Sequence, residues 1–166
     1  MTTTTYSYSP TQWRTYVFAL AFIIGNLALP QLAHLVPMGG LIFLPIYFFT
    51  LIGAYKYGFW VGVLTAVLSP LANMLLFGMP PVAALPAIMI KSVALAFAAA
   101  YCAKKFNGKL LVGIIIAVFA YQLVGMTFEW IYTGSLQYAL QDVVVGYPGI
   151  AFQIFGGYLL MKYVLK

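Results

Sequence analysis

Residues 80–105, PPVAALPAIMIKSVALAFAAAYCAKK, form an apolar run long enough to cross a bilayer, with one cation inside it. A helix needs about 20 residues to span roughly 30 Å of hydrocarbon, and 82–103 supplies that length. Pro80 and Pro81 mark the start, and Pro86 falls in the first turns, where a missing N–H costs little. Lys104 and Lys105 mark the end. Lys91 then lies roughly 13 Å below one surface, at about 1.5 Å of rise per residue. An ionised group at that depth costs at least about 2.5–3.5 kcal/mol unless it faces protein, water or a partner. Two uses are open to it: snorkelling or pairing to hold helices together, or lining a binding cavity.

The whole chain is of the same kind. Of its 166 residues 64% are hydrophobic and 6% charged, whereas a soluble domain carries about 25% charged residues. The expected class is an all-α, multi-pass membrane protein: a polar tail over 1–14 and a single membrane domain over 15–166. The first ten residues, polar throughout, are expected to be mobile. They carry no small-residue cleavage site behind a short apolar run, so no removable signal peptide is expected. One cysteine, Cys102, excludes an internal disulfide and a cysteine-based metal cluster. With one histidine, His34, no metal site and no cofactor are expected.

Six spans can be drawn, over 15–36, 41–55, 59–77, 82–103, 110–132 and 143–164. The second is short. The net charge of +6 comes from eight Lys and Arg against two acids. Six spans put Arg14, Lys56, Lys104, Lys105, Lys109, Lys162 and Lys166 on one side, and the opposite loops hold no Lys or Arg. The charges therefore speak for membrane topology rather than for nucleic acid, and the positive-inside rule places both termini in the cytoplasm. Asn107 falls in the loop between the fourth and fifth spans. Trp13 and Trp60 fall at the inner interface and Trp130 near the outer one, as an aromatic belt requires.

This topology sets depths. Gln122 in the fifth span and Gln153 in the sixth both lie about 15 Å below the outer surface, within a few ångströms of Lys91. Gln122, Gly125, Met126 and Glu129 share one helix face by their spacing. Asn73 and Trp130 lie at a similar outer level. The expected site is a cavity open to the outside, with Lys91, Gln122 and Gln153 at its floor and Glu129, Asn73 and Trp130 nearer its mouth. Each Gln or Asn taken singly is more often interhelical glue, worth about 0.6–2 kcal/mol, and it is their shared depth with a Lys and a Glu that favours a site. His34 is expected to be interfacial and Asp142 to cap the sixth span. In the first span Ala21, Gly25 and Ala28 form a small-residue groove, either for a partner helix or for packing within the chain.

Sequence motifs for catalysis and energy coupling are missing. There is no GxxxxGK[ST] loop, no HExxH, no paired acids and no Ser-His-Asp spacing, so an enzyme is not expected. Three stretches, GAYKYGFWVGVLTAVLSPLANMLLFG, LPAIMIKSVALAFAAAYCAKK and GYPGIAFQIFGGYLLMKYVLK, resemble the substrate-binding S components of energy-coupling factor (ECF) vitamin transporters, a likeness that covers roughly residues 15–164. The resemblance implies six helices in the cell membrane, an outward-facing site for a small vitamin-like substrate, and toppling of the protein during transport. It also implies a transmembrane coupling subunit, docked here on Ala21-xxx-Gly25, and separate ATPase subunits. Many relatives have an acid about where Lys91 stands, so the resemblance names no substrate. Apart from it, the residues also leave open a structural or scaffold membrane protein and a self-contained small transporter. A scaffold should hold no pocket, whereas an uptake subunit should hold one of several hundred Å³ near its outer face.

Overall fold

The structure, a computed structural model, describes residues 5–106 and 108–165. Asn107 and Lys166 lie outside the described residues. No strand occurs among the described residues. Helices α1 (Trp13–Ala33), α2 (Gly39–Phe43), α3 (Phe48–Tyr57), α4 (Phe59–Phe77), α5 (Leu85–Lys105) and α6 (Leu110–Thr133) are followed by two short helices, α7 (Leu136–Ala139) and α8 (Gln141–Val144). A last rod over 147–164 starts as α9 (Tyr147–Ala151) and passes through π turns at Phe152–Gly156 and Leu160–Val164. Four helices, α1, α4, α5 and α6, are long and apolar enough to cross a membrane. Their outer faces carry exposed Leu20, Ile24, Leu75, Phe97, Phe119 and Leu123, the surface that lipid covers in a membrane protein.

Glycine closes three of these helices, α3, α4 and α6. Gly58, Gly78 and Gly134 take φ of 102°, 68° and 68°, the left-handed region that costs glycine nothing. The expected second and sixth spans take other forms. The second breaks at Leu44, which sits at φ 46° ahead of Pro45. Proline supplies no N–H and disfavours the right-handed helix at the residue before it, so α2 stops and α3 begins only after a tight turn over Pro45–Tyr47. α3 has 10 residues, all buried but Phe49, and is enclosed by α1, α4 and α5. The sixth span, drawn from 143, gives way to α8 and a rod that starts at Tyr147. α5 starts at Leu85 rather than Val82, with Pro86 in its first two positions.

A helix that starts inside a bilayer exposes N–H groups to hydrocarbon, and these need partners. Asn26 on α1, fully buried, supplies them: its Oδ1 accepts the Phe49 N–H at 3.2 Å, and its Nδ2 donates to Thr50 Oγ1 at 3.1 Å and to Ser69 Oγ on α4 at 3.3 Å. Pro30 has no N–H to give the Asn26 carbonyl. That carbonyl accepts instead from Asn73 Nδ2 on α4, at 2.8 Å. Side-chain amides thus join α1, α3 and α4 where proline interrupts the backbone ladder. Gly62 brings α4 against Ala54 of α3, where a Cβ would overlap the alanine.

α3 ends, and α4 and α6 begin, at one end of the bundle, which holds Lys56 and Lys109; a Cβ on Gly113 of α6 would overlap the Tyr55 hydroxyl of α3. Of the first ten residues, expected to be mobile, 1–4 lie outside the described residues, and the described part of the tail is docked here through Tyr6 and Tyr8. The Tyr6 N–H donates to the Lys56 carbonyl at 2.7 Å and the Tyr8 N–H to the Tyr57 carbonyl at 3.2 Å. Tyr8 stacks on Phe18, and Phe18 on Tyr57 with ring centres 4.1 Å apart. The alternation of tyrosines in YSY lets one face of the extended tail cover apolar rings, a pattern that polar composition concealed.

The small-residue groove of α1 divides. Ala21 and Ala28 are exposed, but Gly25 is half-buried against the Phe49 ring, 2.7 Å from where a Cβ would stand. Gly25 thus serves packing within the chain rather than an open docking face. Gly25→Leu is expected to lower the melting temperature in detergent by over-packing worth about 1–3 kcal/mol. Ala28→Leu, on the exposed face, should stay within about 0.5 kcal/mol of the parent.

Candidate functional site

The opposite end of the bundle holds the charged centre. Lys91 lies six residues into α5, so about 9 Å from the helix start rather than 13. Its Nζ lies 2.6 Å from Glu129 Oε2 on α6 and 2.7 Å from Asp142 Oδ2 on α8. The stem of Lys91 runs over Gly125, where any Cβ would overlap it, so glycine at that position lets lysine cross to the acids. All three charged side chains are buried, and they include both acids of the chain. Asp142 therefore does not cap the sixth span. It stands in the first turn of α8, and its carboxylate is taken by Lys91.

Local chemistry positions Asp142. Gly134 ends α6, and Ser135 caps α7 by accepting the Tyr138 N–H at 3.3 Å. Leu140 then joins α7 directly to α8. This tight double turn folds residues 135–144 back over the end of α6, placing Asp142 opposite Glu129 across the lysine.

The triad forms part of the wall of a small cavity of about 110 Å³, with Leu44, Tyr47 and Ala87 among its other neighbours. A larger cavity of about 630 Å³ adjoins it and shares Gly40, Leu41, Ile46, Ala84, Ile88 and Tyr138. Pro30, His34, Pro45, Asn73, Pro80 and Pro81 are among the remaining walls of the larger one. Together they make one mainly apolar chamber with a charged floor.

The expected site residues separate into groups. Lys91 and Glu129 meet at the floor, and Asn73 lies on the wall of the larger cavity. Gln122 and Gln153 line neither cavity. They form a polar chain deeper in the bundle, in which Gln122 Nε2 donates to the Tyr121 hydroxyl at 3.1 Å and that hydroxyl donates to Gln153 Oε1 at 3.0 Å. Gln153 Nε2 reaches the carbonyl of Leu44, freed by the helix break, at 3.5 Å. Gln122 Oε1 has no hydrogen-bond partner among the described residues. Trp130 is 53% exposed, faces away from Glu129 and lines neither cavity, because consecutive helical residues point about 100° apart. His34 lies against Gly40 on the cavity wall rather than only at an interface.

Asp142, Tyr47, Tyr121 and Tyr138 did not stand out in the sequence. For Asp142 a signal existed: in a chain with two acids and one lysine inside an apolar span, each acid is a candidate partner. The tyrosines had none, being few among many. The chain matches no protein-family model, no curated protein and no solved structure.

Lys91→Met leaves two buried carboxylates facing each other without their cation, so it is expected to destabilise the fold by about 3–5 kcal/mol. Adding Glu129→Gln and Asp142→Asn should recover most of the melting temperature lost. A lysine that merely snorkelled would show neither the loss nor the recovery.

Proposed function

We propose that this protein is the substrate-binding subunit of an uptake system for a small, vitamin-like molecule, of the ECF S-component kind. In this reading it is a six-span protein of the cell membrane with both termini in the cytoplasm. Energy comes from ATPase subunits acting through a transmembrane coupling subunit. The observation that carries the proposal is the chamber: about 630 Å³ of apolar volume next to a buried charged floor, at the end of the bundle opposite the basic loops. That volume falls within the ~300–1,000 Å³ usual for small-molecule sites. A scaffold has no need of it.

The shape of the floor also supports binding. A broken α2–α3 segment with Leu44 in the left-handed region stands beside the charged residues, and interrupted helices at membrane depth typically line cavities. For coupling, the exposed Ala21 and Ala28 remain the small-residue face of α1 in this reading, without Gly25.

Native mass spectrometry of the purified protein, with thermal-shift screening against a vitamin panel, tests the proposal. A bound small molecule, or stabilisation by one member of the panel, is expected. Absence of both would leave the scaffold reading. For the topology, a cysteine at position 79 should label from outside the cell and one at 107 should not, in a Cys102→Ala background.

A further inference from the structure

We propose that the occupant of the chamber is an organic monocation, bound with its ammonium group against Glu129 and Asp142. This inference rests on the uptake reading above and specifies its substrate class. A lysine alone at a cavity floor would suit an anionic group, but the two acids beside Lys91 reverse that sign. The Lys91 side chain keeps 2% of its surface exposed, whereas those of Glu129 and Asp142 keep 10% and 11%. A molecule reaching the floor meets the two acids before the more deeply buried lysine.

Charge counting points the same way. With both carboxylates ionised, two face one ammonium and leave one negative charge in excess in a place of low dielectric, and a bound cation balances it there in place of a proton. Each carboxylate offers about four lone-pair sites, and Lys91 occupies one oxygen of each. The acceptors left over suit N–H donors of a cation. Among the described residues no other Lys or Arg lines either cavity. An anionic ligand would face two carboxylates, and a neutral one would leave the excess charge unbalanced. Tyr47 and Tyr138 give the wall beside the floor an aromatic character that also suits a cation. The adjoining apolar volume takes the uncharged body of the ligand.

Three probes that share one ring system and differ in charge test this: tryptamine, a cation; tryptophol, neutral; and indole-3-propionate, an anion. Binding is measured by calorimetry on protein in nanodiscs of phosphatidylcholine, whose zwitterionic surface does not select for charge. Tryptamine should bind about tenfold or more tighter than tryptophol, as charge-assisted hydrogen bonds require, with indole-3-propionate weakest. Glu129→Gln leaves Lys91 its Asp142 partner and removes the excess charge. Asp142→Asn does the same from the other side. Each should abolish the preference for tryptamine over tryptophol while the protein still melts cooperatively. No preference for tryptamine in the parent, or a preference that survives both substitutions, overturns the inference. A neutral or anionic molecule found co-purified with the protein would overturn it too, yet leave the uptake reading standing. Failure of every vitamin and of native mass spectrometry, with the tryptamine preference intact, would count against uptake and not against the charge of the site.

Discussion

A lysine taken out of water must find negative charge, and this chain holds two acids in all. Both are used on Lys91. The ion triad ties α5 to α6 and to α8, and through α8 it fixes the double turn that walls the chamber. Such a cluster contributes little net stability, because desolvation offsets much of the attraction. What it determines is arrangement. The side chains that line the chamber around it are mainly apolar, so the triad supplies much of the polar reason for the helix ends at this level to prefer one register.

The second constraint is backbone satisfaction in hydrocarbon. The chain breaks its second helix at Leu44–Pro45 and interrupts α1 with Pro30, and each interruption frees a carbonyl or an N–H. Asn26, Asn73 and Gln153 meet those groups. Two of the polar residues expected at a ligand site thus have a different principal duty. Gln153 holds the broken segment through the Leu44 carbonyl, and Asn73 repairs α1 while one side of it lines the chamber. The break that these amides support is also what leaves room for a chamber beside the triad.

Local and periodic features were legible in the sequence. The span 59–77 matches α4 to the residue because glycines flank it, and the common face of Gln122, Gly125 and Glu129 followed from helical spacing. The break at Leu44 was less so, since a single proline in an apolar run is compatible with a kinked continuous helix. Pairing across the fold was legible in part: a lysine inside an apolar span calls for a partner, and Glu129 on the polar face of α6 was one that the sequence offered, but nothing local links Asp142 to Lys91, 51 residues away. Trp130 shows the converse error, since adjacency to Glu129 in sequence puts it on a different face. Gly25 shows that a small-residue motif marks close approach without saying which neighbour approaches.

The separation of Lys91 from Asp142 has a consequence for biogenesis. Lys91 is synthesised before either acid, and at about 5–20 residues per second the second partner follows several seconds later. During that interval α5 carries an uncompensated cation. Its insertion into lipid is therefore unfavourable at that residue, and the helix is best held at the headgroup region or in the insertion machinery until α6 arrives as its hairpin mate. The ion triad is then completed only after α6 is in place, when the segment carrying Asp142 closes over its end.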